Sequence, residues 1–286
     1  MNIVRSPKTL TRALSVAAGK TAAERYASNS VLSQGRWVKI GITEDGVYRL
    51  TAADLRRMGF NDPSRVKLYG YGGHVQDEVI DADTDFDDLE EVPLYRDERG
   101  LLFFGKGLIS WSATDRRGRA THRVNTFAKQ ACYFLTEGDS PRTIEKAAVS
   151  GSPQKNLDYT PANVLYKKEE YAWYQSGRNF YESANYASSN SRTYQLPVVD
   201  PVASAGGSLK VSFTAHTTKD EGDSYVTPTV DGVKLSAMRI SWSGEYDAAK
   251  EGTQTYTLNT LHEGTTGTQV TLVSTAGVDG RLGYLE

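Results

Sequence analysis

From Trp37 to Ile42 the side chains Val38, Ile40 and Ile42 alternate with Trp37, Lys39 and Gly41, the period of two that a strand with one buried face imposes. The alternation resumes over Val47 to Leu50, after the turn residues Glu44, Asp45 and Gly46, so the two runs are expected to pair as a hairpin. Thr51 with Asp54 three residues later has the spacing of a capping box, Leu55 and Met58 share one helix face, and Gly59 stands where a helix stops. A short helix therefore follows. Val66 to Tyr69, Leu101 to Phe104 and Cys132 to Leu135 are further strand-like runs, separated by glycine-rich or acidic loops.

Between Gly138 and Ala162 the chain turns to Ser, Pro, Lys and Asn without a period, as a linker does. Beyond it comes an aromatic cluster, Tyr166, Tyr171, Trp173, Tyr174, Phe180 and Tyr181, and then strong alternation. Leu209, Val211, Phe213 and Ala215 interleave with Ser208, Lys210, Ser212 and Thr214, and Asp231-Gly232 joins two short runs as a two-residue hairpin turn. Runs at Met238 to Trp242, Gln254 to Leu258 and Gln269 to Ser274 keep the spacing of an antiparallel sandwich. The expected fold is mainly β. A lead-in occupies 1–29, an α+β but β-rich domain with short helices 30–137, a linker 138–165 and a β-sandwich 166–286.

The 286 residues suit one large or two modest domains at about 150 residues each. Lys and Arg number 33 against 35 Asp and Glu, a net charge of −2, which speaks against a dedicated nucleic-acid binder. No stretch approaches the roughly 18 apolar residues of a membrane-spanning helix, and the run Ala13 to Ala18 is too short for a signal peptide. With one cysteine there is no internal disulfide framework and no multi-cysteine zinc site. Seventeen tyrosines against 8 phenylalanines point outward, because tyrosine couples an apolar face to a wet edge.

Candidate chemistry is sparse. Cys132 lies in the apolar run Ala131-Cys132-Tyr133-Phe134-Leu135 and is expected to be a small core residue, not a nucleophile; no Gly-x-Ser-x-Gly elbow occurs either. His74, His122, His216 and His262 lie far apart, with no metal-ligand spacing on a helix, and read as surface or core-edge histidines. Gly70-Tyr71-Gly72-Gly73 follows a strand but lacks the third glycine of a dinucleotide fingerprint, so a sharp turn is expected. The acidic loop from Asp81 to Glu91 has Phe86 and Val92 where an EF-hand needs Gly and Glu. It reads as a solvated loop, with Asp81, Asp83 and Asp85 the ligands of an irregular calcium site as the minor reading. No other cofactor is expected. Tyr171, Trp173, Tyr174, Arg178, Phe180 and Tyr181 read first as core and interdomain packing, and otherwise as a surface that stacks on sugars or on a partner protein.

Ser30-Val31-Leu32-Ser33, Gly35, Trp37, Lys39-Ile40, Gly46-Val47-Tyr48-Arg49-Leu50, Asp54-Leu55, Met58-Gly59-Phe60 and Leu68-Tyr69-Gly70-Tyr71-Gly72-Gly73 form an ordered series. It continues through Asp88-Leu89, Glu91-Val92-Pro93, Phe103-Phe104-Gly105-x-Gly107, Trp111, Tyr133-Phe134-Leu135-Thr136 and Ser176-Gly177-Arg178-x-Phe180-Tyr181. Over about residues 25 to 185 this series resembles the N-terminal region of the type IX secretion sortases, the PorU family of gingipain-like cysteine peptidases. The resemblance implies a surface enzyme of Bacteroidota that removes C-terminal sorting signals from secreted cargo and attaches the cargo to a lipopolysaccharide anchor. It implies an extracellular or outer-membrane-surface location, and as partners an outer-membrane protein of the secretion system and the cargo. The family's Cys-His pair sits in a caspase-like domain downstream, and none of its motifs can be laid onto positions 1–286. The chain is thus expected to be a non-catalytic region cut from a longer surface protein, with a final run at Val278 to Tyr284 that ends as an unfinished strand. Leu285-Glu286 is taken as a cloning remnant. A free-standing carbohydrate-binding or adhesion module is the alternative.

Overall fold

The computed structural model describes residues 26–76, 78, 87–113, 120–144, 161–174, 179–261 and 267–286. The chain divides into two compact units, Met1–Val149 and Ser150–Glu286, and both are built from antiparallel strands.

In the first unit the strands are β1 (Val38–Ile42), β2 (Gly46–Leu50), β3 (Val66–Tyr69), β4 (Glu91–Val92), β5 (Tyr95–Asp97), β6 (Gly100–Gly105), β7 (Ile109–Ala113), β8 (Ala120–Val124) and β9 (Ala131–Glu137). The helix α1 spans Ala52–Arg57. One sheet runs β1-β9-β3-β4 and a second β2-β6-β5, while β7 and β8 form a separate ribbon. Leu55, Phe60, Leu68, Leu101, Phe103, Tyr133 and Leu135 fill the core. The cap of α1 is as its sequence predicts: the Thr51 hydroxyl accepts from the Asp54 amide and the Asp54 carboxylate from the Thr51 amide.

The expected hairpin of β1 and β2 does not form. β1 pairs with β9, Ile40 opposite Tyr133, and β2 pairs with β6, Tyr48 opposite Phe103. The cause lies far along the sequence. Asp45, in the turn, accepts from the Gly107 amide at 2.6 Å, and Leu108 donates to the Thr43 carbonyl at 3.2 Å. A Cβ at Gly107 would lie 2.5 Å from the backbone of Thr43 and Glu44, and one at Gly105 would lie 2.4 Å from Ile42 Cδ1. Two glycines therefore let the end of β6 press into the turn and send its two arms to different sheets. Gly72 and Gly73 serve a similar close approach: Gly72 has φ +85°, and a Cβ on Gly73 would stand 2.6 Å from the Gly107 carbonyl oxygen. The expected sharp turn is there.

Cys132 is corrected as well. It sits in β9, but the core side of that strand is taken by Ala131, Tyr133 and Leu135. Strict alternation puts the thiol on the opposite face, half-buried, 3.8 Å from the Gln130 carbonyl. Ordered contacts of the first unit also run past Gly138, where the linker was expected to begin. Thr143 bridges Leu94, and Arg142 bonds Glu91 through both its amide and its guanidinium.

The second unit contains β10 (Tyr166–Lys167), β11 (Ser191–Leu196), β12 (Gly207–His216), β13 (Ser224–Val230), β14 (Val233–Lys234), β15 (Met238–Ile240), β16 (Lys250–Leu258), β17 (Thr268–Ser274) and β18 (Asp279–Leu285). One sheet runs β10-β18-β12-β16 and the other β11-β17-β13-β14, with β15 also on β13. Leu209, Val211, Phe213 and Leu282 of the first sheet meet Val226, Val270 and Leu272 of the second in one core, as a sandwich requires. Asp231 and Gly232, at φ +45° and +85°, make the two-residue turn that the Asp-Gly pair predicts. The final run is a strand, paired on both sides. β18 lies between β10 and β12, Leu285 is fully buried, and Glu286 exchanges backbone bonds with Lys210 at 2.8 and 3.0 Å.

Candidate functional site: the aromatic face of the second unit

Alternation along β12 points Leu209, Val211 and Phe213 inward and Ser212, Thr214 and His216 outward, yet Ser212 and Thr214 are buried. The aromatic segment accounts for this. Tyr171 and Tyr181 form an antiparallel bridge, exchanging amide-to-carbonyl bonds of 2.9 Å each way, and the chain then runs beside β18, with Glu182 donating to the Leu282 carbonyl and Tyr186 to the Gly280 carbonyl. On that face Thr214 lies between Glu251 of β16 and Arg281 of β18. The Tyr181 hydroxyl donates to Glu251 at 3.3 Å, and the other Glu251 oxygen accepts from Ser212 at 2.7 Å. Burial, and then the Glu251 charge, push the Tyr181 phenol up to about 12, so it stays a donor throughout the physiological range.

Arg281 organises the cluster. Only 7% exposed, its guanidinium sits 3.6 Å from the Tyr171 ring centroid and 5.7 Å from that of Trp173. It donates to the Ser183 carbonyl and lies 3.5 Å from the Asp279 carboxylate. Trp173 meets Tyr171 edge-on at 5.4 Å. Of the residues singled out in the sequence, Tyr171, Trp173 and Tyr181 are thus brought together, Phe180 is half-buried beside them in the chain, and Tyr174 faces solvent. Arg178 lies outside the described residues, as do Asp81, Asp83 and Asp85. Among the described residues no three His, Cys, Asp or Glu side chains gather as metal ligands.

Sequence reasoning missed Arg281 and Glu251; His216, read as a surface or core-edge histidine, is exposed at the end of β12. The signal for Arg281 was a lone cation between Gly280 and Leu282 in an otherwise apolar run. Nothing local marks Glu251, whose position opposite Thr214 is set by register.

A second constellation lies at the core. Glu182, 5% exposed, accepts at one oxygen from Tyr166 and Lys168, both at 2.8 Å, and at the other from Tyr194 at 2.8 Å; Tyr194 and Tyr186 share a 3.0 Å bond. Burial works to raise the Glu182 carboxyl, but the bonds from Lys168, Tyr166 and Tyr194 overcome it and hold the group below its ordinary range. The same surroundings push Tyr194 and Tyr186 up, chiefly by burial. Held by three bonds, this carboxylate ties β10 and β11 to the segment between them.

The first unit offers a different surface. On the outer side of β2-β6-β5, Val47 stands opposite Phe104 and Leu102 opposite Tyr95, with Val47 69% and Phe104 55% exposed. Arg49 of β2 and Asp97 of β5 form an ion pair at 2.6 Å on the same sheet.

No protein-family profile matches the chain, and no curated protein matches it. Among solved structures it is similar to dimeric latent PorU from Porphyromonas gingivalis, with a TM-score of 0.77 and 25% identity over 91% of this chain. The match covers 25% of the PorU chain, so this sequence corresponds to a minor part of that protein.

Proposed function

We propose that the chain is the non-catalytic N-terminal region of a surface gingipain-like cysteine peptidase acting as a type IX secretion sortase, and that it serves as scaffold and as a docking surface for partner or cargo. The observation that carries this is the structural likeness to PorU across nine-tenths of the chain, with both units included in one match. The composition of the site agrees with it. The half-buried Cys132 sits beside the Gln130 carbonyl on a regular strand, and Glu182, the deeply buried carboxylate among the described residues, accepts three hydrogen bonds. Neither arrangement activates a nucleophile. The exposed apolar face of Val47, Phe104 and Tyr95 is what a region that holds another body requires.

The experiment is to produce the chain separately from the remainder of its polypeptide and mix the two. The proposal expects a complex that Val47→Asp with Phe104→Asp disrupts, and no peptide cleavage by the chain alone. Cleavage by the chain alone that Cys132→Ser abolishes would refute the non-catalytic reading, and failure of the two parts to associate would refute the scaffold.

A further inference from the structure

β16 (Lys250–Leu258) closes one end of its sheet and pairs with β12 alone, in an unbroken register that runs from Gly207 opposite Leu258 to Ala215 opposite Lys250. Its other edge meets no strand among the described residues. β15 approaches at Gly252, where a Cβ would lie 2.8 Å from Ile240 Cγ1, and Gln254 Nε2 donates to Ser236 Oγ at 3.4 Å, but neither contact forms a ladder. An open edge presents a row of unpaired amides and carbonyls, and proteins blunt it with short strands, charged side chains or proline. Several edges of this molecule are blunted so: β4, β10 and β14 have 2 residues each, while β1, β2 and β11 carry Lys39, Arg49 and Arg192. β16 is not. It spans 9 residues, carries no charge and no proline from Gly252 to Leu258, and leaves Thr253, Thr255 and Thr257 exposed.

We propose that this edge is a self-association site, where β16 of a second copy of the chain adds antiparallel and continues the sheet across a twofold axis. A row of alternating main-chain donors and acceptors is complementary to one kind of ligand, another extended strand, because a helix keeps its own amides and carbonyls bonded internally. β16 is itself such a ligand. Thr253, Thr255, Tyr256 and Thr257 are strand formers, and an uncharged, proline-free run of this kind pairs readily with its own copy. Pairing all 9 residues sets the axis at Gln254 and brings Thr253 opposite Thr255 of the second copy, a cross-strand pair whose hydroxyls suit each other. Lys250 then meets Leu258 and Glu251 meets Thr257, so no two like charges oppose. The inference goes beyond the accessory role proposed above and uses a different surface from the face of Val47 and Phe104.

The test follows the mass of the full chain by analytical ultracentrifugation over a concentration series. A reversible dimer is expected, and Thr253→Lys with Thr255→Lys, which sets like charges opposite each other, is expected to raise its dissociation constant about tenfold. Both positions are exposed, so the melting temperature of the monomer is expected to hold. Thr253→Glu with Thr255→Glu is expected to weaken the dimer in the same way, and mixing the two variants to restore it as a mixed dimer, a rescue that only facing positions give. Val47→Asp with Phe104→Asp is expected to leave it intact. A chain that remains monomeric throughout the series overturns the proposal, as does a dimer that the lysine pair leaves unchanged or that the Val47 and Phe104 variant dissolves. Failure of the two folded variants to associate on mixing overturns it as well. Should either pair unfold the second unit, the free peptide Lys250–Leu258 is the probe: it is expected to split the dimer, and a dimer that it leaves whole overturns the proposal.

Discussion

The two units bury cores of similar make-up in different ways. All the buried polar residues among those described belong to the second: Glu182, Arg281 and seven serines and threonines. The first unit closes its core with aliphatic and aromatic side chains, the Tyr133 hydroxyl accepting from the Lys106 amide, and brings its sheets together by leaving side chains out, at Gly105 and Gly107. A steric fit of that kind fails when an atom is added. A polar network fails when a partner is removed, because each remaining group keeps its desolvation cost. The same contrast extends to the surface, where the first unit exposes a strand face and the second a strand edge.

The largest expected effect is therefore in the second unit. Glu182→Ala removes the acceptor that Tyr166 and Tyr194 share and leaves Lys168 without its ion pair, and should cost about 3 kcal/mol, measured by denaturant unfolding of that unit. In the first unit Gly107→Ala drives a methyl into the backbone of Thr43 and Glu44 and should cost about 2 kcal/mol. Equal and small losses in both variants would erase the contrast.

Acid sharpens it. A carboxyl held below its ordinary value in the folded state contributes stability that is full above the unfolded value and is lost as pH falls through the folded one. In the second unit the groups so held include Glu170, Glu182 and Glu221, whose ordinary value is 4.5. In the first they are the aspartates Asp54, Asp62, Asp88 and Asp97, with an ordinary value of 3.8. As pH drops below 4.5 the second unit should start to lose stability while the first still holds, and tryptophan and tyrosine signals assigned to each unit report the order. The smallest effect is local: Thr51→Ala removes the cap of α1 and should cost about 1 kcal/mol, confined to the first unit.

Much of this architecture was legible in the sequence where the determinant is local. The Thr51–Asp54 box, the Asp231-Gly232 turn and the alternation of β12 each need only a few neighbouring residues, and each appears as expected. The pairing of β1 and β2 was misjudged because Gly107, which diverts them, lies some sixty residues away. Cys132 was misplaced because an all-apolar run hides which parity faces the core. At the candidate site, the Tyr171 to Tyr181 cluster was visible as composition. Its organising charges on β16 and β18 were not, since Glu251 and Arg281 meet Thr214 only through strand register.

The most direct test of the central reading is the intact polypeptide that carries this sequence in its native cells, identified by mass spectrometry and by the gene that encodes it. The reading predicts that these residues form the smaller, N-terminal part of a chain whose later part contains a caspase-like domain with a Cys-His pair. A polypeptide that lacks any such domain would contradict it.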